Sequence, residues 1–129
     1  MNKRILIVLA NYYEQISRGL LDSAKKSLPK SVKTTLIKVP GVFEIPVVIS
    51  KNIKKYDGFI ALGCVIKGET PHFNFISKAS IDGIMKISIE NKKPVANGII
   101  TCLNQKQALS RKKKGREAAK AVLSVLDNI

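Results

Sequence analysis

Residues 4–9 (RILIVL) and 59–65 (FIALGCV) are apolar runs without polar alternation. A strand covered on one face alternates apolar and polar side chains. A strand that does not alternate is buried on both faces, as in a parallel sheet flanked by helices. Two further strands read at 32–39 and 95–102, the former less apolar and so expected at a sheet edge. The segments between them carry helical spacing. Ile16, Leu20, Leu21, Ala24 and Leu28 mark a helix over 14–28 that Pro29 stops. Residues 43–53 read as a helix that tolerates Pro46 because it lies in the first turn. Phe75, Ile76, Ala79, Ile84 and Ile87 mark a long amphipathic helix over 73–91, and residues 105–111 a short one. Ala118, Ala119, Val122, Val125 and Leu126 form one side of a closing helix over 116–126.

This alternation predicts an α/β fold with one parallel sheet and right-handed crossovers. The expected architecture is a flavodoxin-like three-layer sandwich. Its four-stranded parallel sheet has strand order 2-1-3-4 and helices on both faces, in a single domain over 1–129.

Composition narrows the function classes. No apolar run approaches the roughly 20 residues that cross a bilayer, so no membrane association is expected. Met1-Asn2-Lys3-Arg4 leads into a short apolar stretch without a cleavage site, which reads as a strand rather than a signal peptide. Cys64 and Cys102, with one histidine elsewhere, make no metal-ligand spacing, and reduced thiols in a cytoplasmic protein are expected. The net charge of +14 raises nucleic-acid binding. However, lysine outnumbers arginine 19 to 4 and aromatics are 5%, leaving few guanidinium forks or rings for phosphates and bases. A lysine-rich solvated surface that attracts anions is the reading, with no nucleic-acid partner.

In open α/β sheets ligands bind beyond the carboxyl ends of the strands. The third strand runs into 63–73 (GCVIKGETPHF), a glycine-containing loop followed by Thr70-Pro71. Proline suits the first helical position and threonine can cap the free donors there. Free backbone N–H groups with Lys67 beside them would form an anion cradle around Gly68 and Thr70. His72 follows in the first helical turn, where the dipole favours the neutral imidazole, ready to take and return a proton. Tyr12 and Phe43 are aromatics in other strand-end loops, able to stack on a flat ring. Glu44 could accept from ligand donors, and Arg111 closes the short helix.

Four segments together resemble the lumazine synthase family of the riboflavin pathway: 39–46 (VPGVFEIP), 63–73, 94–101 (PVANGIIT) with Gln107, Ala108 and Arg111, and 114–119 (KGREAA). The resemblance spans nearly the whole chain in order. It implies condensation of 5-amino-6-(D-ribitylamino)uracil with 3,4-dihydroxy-2-butanone 4-phosphate to 6,7-dimethyl-8-ribityllumazine, with neither metal nor organic cofactor. By position, Tyr12 matches the ring that stacks on the pyrimidine. Val42, Phe43 and Glu44 match the segment that binds the pyrimidine and ribityl chain, and Cys64, Val65 and Ile66 its other wall. Glu69 and Thr70 match the phosphate loop, His72 the proton-transfer residue, Arg111 the phosphate-binding arginine and Lys114 a lysine near it.

The chain departs from the pattern in places. Tyr12 stands where many members have Phe. Asn97 stands where many have an aromatic, so a polar contact with substrate replaces stacking there. The stretch between Arg111 and Lys114 is shorter than in many members, and the chain begins at its first strand. The family implies a homo-oligomer with active sites between subunits; a simple pentamer is expected here. Two rivals are weighed beside it. A non-catalytic flavin- or phosphate-binding flavodoxin-like module leaves three of the four matching segments without a reason. An enzyme making riboflavin from two lumazines has no phosphate to hold.

Overall fold

The computed structural model describes residues 3–127; positions 1, 2, 128 and 129, which the expected domain includes, lie outside the described residues. The chain runs β1 (Arg4–Ala10), α1 (Glu14–Lys26), β2 (Lys33–Val39), a 3-10 turn (Val42–Glu44) leading into α2 (Ile45–Lys51), β3 (Gly58–Ile66), α3 (His72–Asn91), β4 (Val95–Cys102), α4 (Gln105–Ser110) and α5 (Lys114–Asp127). All pairings are parallel and the order is β2-β1-β3-β4, as the sequence predicts.

Alternate residues of the two central strands build two cores. Ile5, Ile7 and Leu9 of β1 and Ile60 and Leu62 of β3 pack against α1 and α5. Leu6, Val8, Phe59 and Ala61 point the other way, against Ile45 and Ile49 of α2 and Ile84 of α3. Each such Ile, Leu, Val or Phe side chain is worth about 1.5–3 kcal/mol when fully buried. The exposed i,i+4 ion pairs, Arg18–Glu14, Lys78–Asp82 and Lys86–Glu90, contribute little beside them. β2 lies at an edge, and only its last residue, Val39, is buried.

Three expectations change. The segment expected as one helix over 43–53 opens as a 3-10 turn, and Pro46 falls in the first turn of α2. On α3 the expected stripe is divided. Ile76 and Ile87 pack on the sheet-facing core with Ile84, but Ala79 is exposed and Phe75 is 69% exposed. Residues 75 and 79 are one helical turn apart, on a face that the sheet does not reach. Met85 and Ile89 are also exposed. The closing helix begins at Lys114, two residues earlier than expected, and Val125 lies outside its buried stripe.

Gly115, in the first turn of α5, marks its crossing with α1. A Cβ there would lie 2.1 Å from the Leu20 carbonyl oxygen and 2.5 Å from Ser23 Oγ, so α1 and α5 cross at a point where only hydrogen fits. Gly115→Ala is expected to destabilise the fold by about 1–3 kcal/mol through overpacking. The readout is a lower urea midpoint at fixed protein concentration.

Candidate active site

The carboxyl ends of β1 and β3 and the turn after β2 enclose a cavity of about 400 Å³. Its lining brings together Tyr12, Val42, Phe43, Glu44, Cys64, Val65, Ile66 and His72, all singled out from the sequence. It adds Tyr13, Gly41 and Ile76, which sequence reasoning missed. Tyr13 had a signal, as the neighbour of Tyr12 in the same strand-end turn. Ile76 follows His72 by one helical turn.

Local bonds set the walls. Asn11 N–H donates to the Val39 carbonyl at 2.9 Å, and Ser17 Oγ donates to the Ala10 carbonyl at 2.7 Å, pinning the β1–α1 turn from both sides. Tyr13 packs on the core beneath it and meets Tyr12 edge to face at 4.9 Å, leaving Tyr12 73% exposed. Burial, then the nearby Tyr12 and Cys64, push the Tyr13 hydroxyl above its ordinary value, so it stays a neutral donor. Gly63 lets the 3-10 turn close over the end of β3, since a Cβ there would meet Val42 Cγ1 at 2.6 Å. Glu44 Oε1 accepts from the Gly41 N–H at 3.0 Å, so one carboxylate oxygen is already engaged in the turn. The other is the acceptor left for a ligand.

His72 is the exposed first residue of α3, on the cavity rim. The helix takes in His72, one residue before the start expected at 73. Pro71 occupies the N-cap rather than the first helical position, and the Thr70 hydroxyl accepts only a long 3.4 Å bond from His72 N–H. The loop before it is tied down at Lys67, whose N–H donates to the Cys102 carbonyl at 2.9 Å. Gly68, Glu69 and Thr70 are exposed, and apart from its two chain neighbours nothing lies within 4 Å of where a Gly68 Cβ would be. Glu69 and Thr70 line neither this cavity nor the one described next.

Asn97, Arg111 and Lys114 lie elsewhere. Together with Lys113, Thr101 and Glu117 they line a second concavity of about 450 Å³ along β4 and the start of α5. Asn97 therefore sits with the cations, not with Tyr12. Its Oδ1 accepts from Ile99 N–H at 3.0 Å. Arg111 Nη1 donates to the Thr101 carbonyl at 3.3 Å, and Lys114 Nζ lies 3.7 Å from Glu117 Oε2. Lys113 enters this concavity unforeseen; the run of lysines offered no basis for choosing among its members.

Cys64 and Cys102 are buried free thiols on the same sheet face, in adjacent strands offset by two residues. Burial first, then the neighbouring Cys102 thiol, pushes Cys64 up to about 12 from an ordinary 9.0. Cys64 thus lines the cavity as an uncharged wall. At pH 8 iodoacetamide is expected to modify it about 10²- to 10³-fold more slowly in the folded protein than in urea. The rate should climb as pH rises toward the raised value. Mass spectrometry over a time course checks this, and equal rates in the two states would refute it.

Among the described residues no helix is long and apolar enough to cross a membrane. The family model described as 6,7-dimethyl-8-ribityllumazine synthase matches residues 2–129. Proteins of that name from Bartonella bacilliformis and Bartonella henselae are similar to this chain. The first is 40% identical over 98% of this chain and 90% of its own length. The second is 42% identical over 95% and 85%. A third, from Mycolicibacterium gilvum, is 40% identical over 93% and 81%. A match over this length, on a chain whose strand-end residues converge as described, makes it a member of the 6,7-dimethyl-8-ribityllumazine synthase family.

Proposed function

We propose that this chain condenses 5-amino-6-(D-ribitylamino)uracil with 3,4-dihydroxy-2-butanone 4-phosphate, releasing phosphate and water and yielding 6,7-dimethyl-8-ribityllumazine in the penultimate step of riboflavin biosynthesis. The observation that carries this reading is the cavity in which Tyr12, Phe43, Glu44 and His72 meet, in a chain of this family. The chemistry is imine formation between an amine and a ketone, elimination of phosphate and ring closure. It moves protons and no net electrons.

In this reading Tyr12 and Phe43 hold the pyrimidine ring between aromatic faces, and the free oxygen of Glu44 accepts from a substrate donor. Val42, Cys64, Val65 and Ile66 form an apolar wall that fixes the ring plane. His72 takes the proton from the attacking amine and returns it to the leaving oxygen. Glu69 and Thr70 hold the phosphorylated substrate from the loop side, and Arg111 and Lys114 neutralise its phosphate. Asn97 makes a polar contact with the bound substrates. Holding two reactants in contact supplies much of the acceleration.

The cations and His72 line different concavities of one subunit. A site completed between copies resolves this, with the Tyr12–His72 cavity of one subunit closed by Asn97, Arg111 and Lys114 of a neighbour. The exposed Phe75, Met85 and Ile89 of α3 supply apolar area for such contacts. The working form is thus a homo-oligomer, a pentamer in the simplest case. Each subunit acts as one domain in the cytoplasm, where thiols such as Cys64 and Cys102 stay reduced.

Mixing purified protein with both substrates should produce the fluorescent lumazine; no product above the uncatalysed background overturns the assignment. His72→Ala should lower kcat by about 10²-fold, the low end for a lost acid/base group. Arg111→Ala should raise KM for the phosphorylated substrate by about 10- to 100-fold, the loss of a charge-assisted bond. An unchanged KM would remove Arg111 from the phosphate site. Light scattering should give five subunits' mass, and a monomer would refute the shared site.

A further inference from the structure

The turn between α4 and α5 and the first residue of α5 hold four consecutive cations, Arg111 to Lys114, that face two ways. Arg111, Lys113 and Lys114 line the concavity along β4, whereas Lys112 lies on the outer groove of α1 beside Gly19. The turn's own backbone bonds, Arg111 N–H to Ala108 and Lys114 N–H to Arg111 at 3.1 and 3.0 Å, close it on itself and do not orient it on the sheet. Orientation comes from α1. Ser23 Oγ donates to the Lys112 carbonyl at 2.6 Å across a separation of 89 residues, with the Leu20 carbonyl at 3.1 Å as its alternative acceptor. Among the described residues this is the one hydrogen bond to the backbone of residues 111–114 from outside the flanking helices α4 and α5.

Packing directs the turn to the same place. A Cβ on Gly19 would lie 3.2 Å from Lys112 Cβ, so the absence of a side chain at 19 gives Lys112 its seat on α1. With Lys112 held outward, the residues on either side of it turn inward. Arg111 has only a long 3.3 Å bond to the Thr101 carbonyl to hold it, and Lys114 leans toward Glu117 at 3.7 Å.

We propose that Ser23, with Gly19 as the seat for Lys112, is a positioning residue for phosphate recognition: it fixes the turn so that Arg111, Lys113 and Lys114 converge on one phosphate. The proposal rests on the reading of Arg111 and Lys114 as phosphate ligands. Ser23 touches no substrate and acts through the Lys112 carbonyl. The wall read as holding the pyrimidine comes from the β1–α1 turn, the turn after β2, β3 and α3, and includes none of residues 111–114 of its own subunit, so a displaced turn should disturb the phosphorylated substrate first.

Ser23→Ala and Gly19→Ala test this together. The first removes the bond and keeps the packing. The second keeps the bond and crowds Lys112, while the helical propensity it adds to α1 offsets part of the cost of crowding. Both are expected to raise KM for 3,4-dihydroxy-2-butanone 4-phosphate about 3- to 10-fold, the usual range for one neutral hydrogen bond. KM for the pyrimidine amine and kcat should change less than twofold. In parallel, inorganic phosphate should protect wild-type protein against thermal unfolding and protect both variants less. Unchanged KM and phosphate protection in both variants, or equal rises in both KM values, overturn the proposal. Wild-type protein that makes no lumazine but is protected by phosphate overturns the assigned reaction instead, and the protection series still decides the role of Ser23.

Discussion

Everything in this fold depends on β1 and β3 being buried on both faces. A strand with Ile5 to Leu9 wholly covered needs apolar helices above and below it, and right-handed crossovers then deliver α1 and α5 to one side and α2 and α3 to the other. The same connectivity sends each strand's carboxyl end toward one edge of the sheet. Tyr12, Glu44, Cys64 and His72 are far apart in the chain, yet the topology leaves them at that edge.

The cavity itself rests on close approach. Gly63 admits Val42 over the end of β3, and the 3-10 turn is then closed by Glu44 Oε1 on the Gly41 N–H. One carboxylate thereby serves the fold with one oxygen and leaves the other outside that bond, on a residue that lines the cavity. The opposite side of the sheet uses the same device at Gly115, where α1 and α5 cross with no room for a side chain. Ser23 lies at that crossing, which is how a helix in the first fifth of the chain reaches the cationic turn near its end.

Much of this was legible in the chain. Unbroken apolar runs specify doubly covered strands, and the weaker pattern at 32–39 put β2 at an edge, because hydrophobicity follows burial directly. Eight of the strand-end residues chosen from sequence line one cavity, since strand ends are where the fold class puts ligands. The outer face of α3 was misread because periodicity reports that Phe75 and Ala79 are apolar, not which of two faces a sheet will cover. Pro71 was placed one position too far into its helix because cap geometry depends on backbone angles that Thr-Pro does not specify alone.

By itself the sequence determined the fold class, the strand order and which segments carry chemistry, because each follows from local patterning and from motifs matched in order. Only the tertiary structure decided how those residues are grouped. It put Asn97 with Arg111 and Lys114 rather than with Tyr12, turned Lys112 outward and Lys113 inward, and tied that turn to Ser23. Such grouping is set by helix crossings and carbonyl directions between residues far apart in the chain, and no local pattern encodes either.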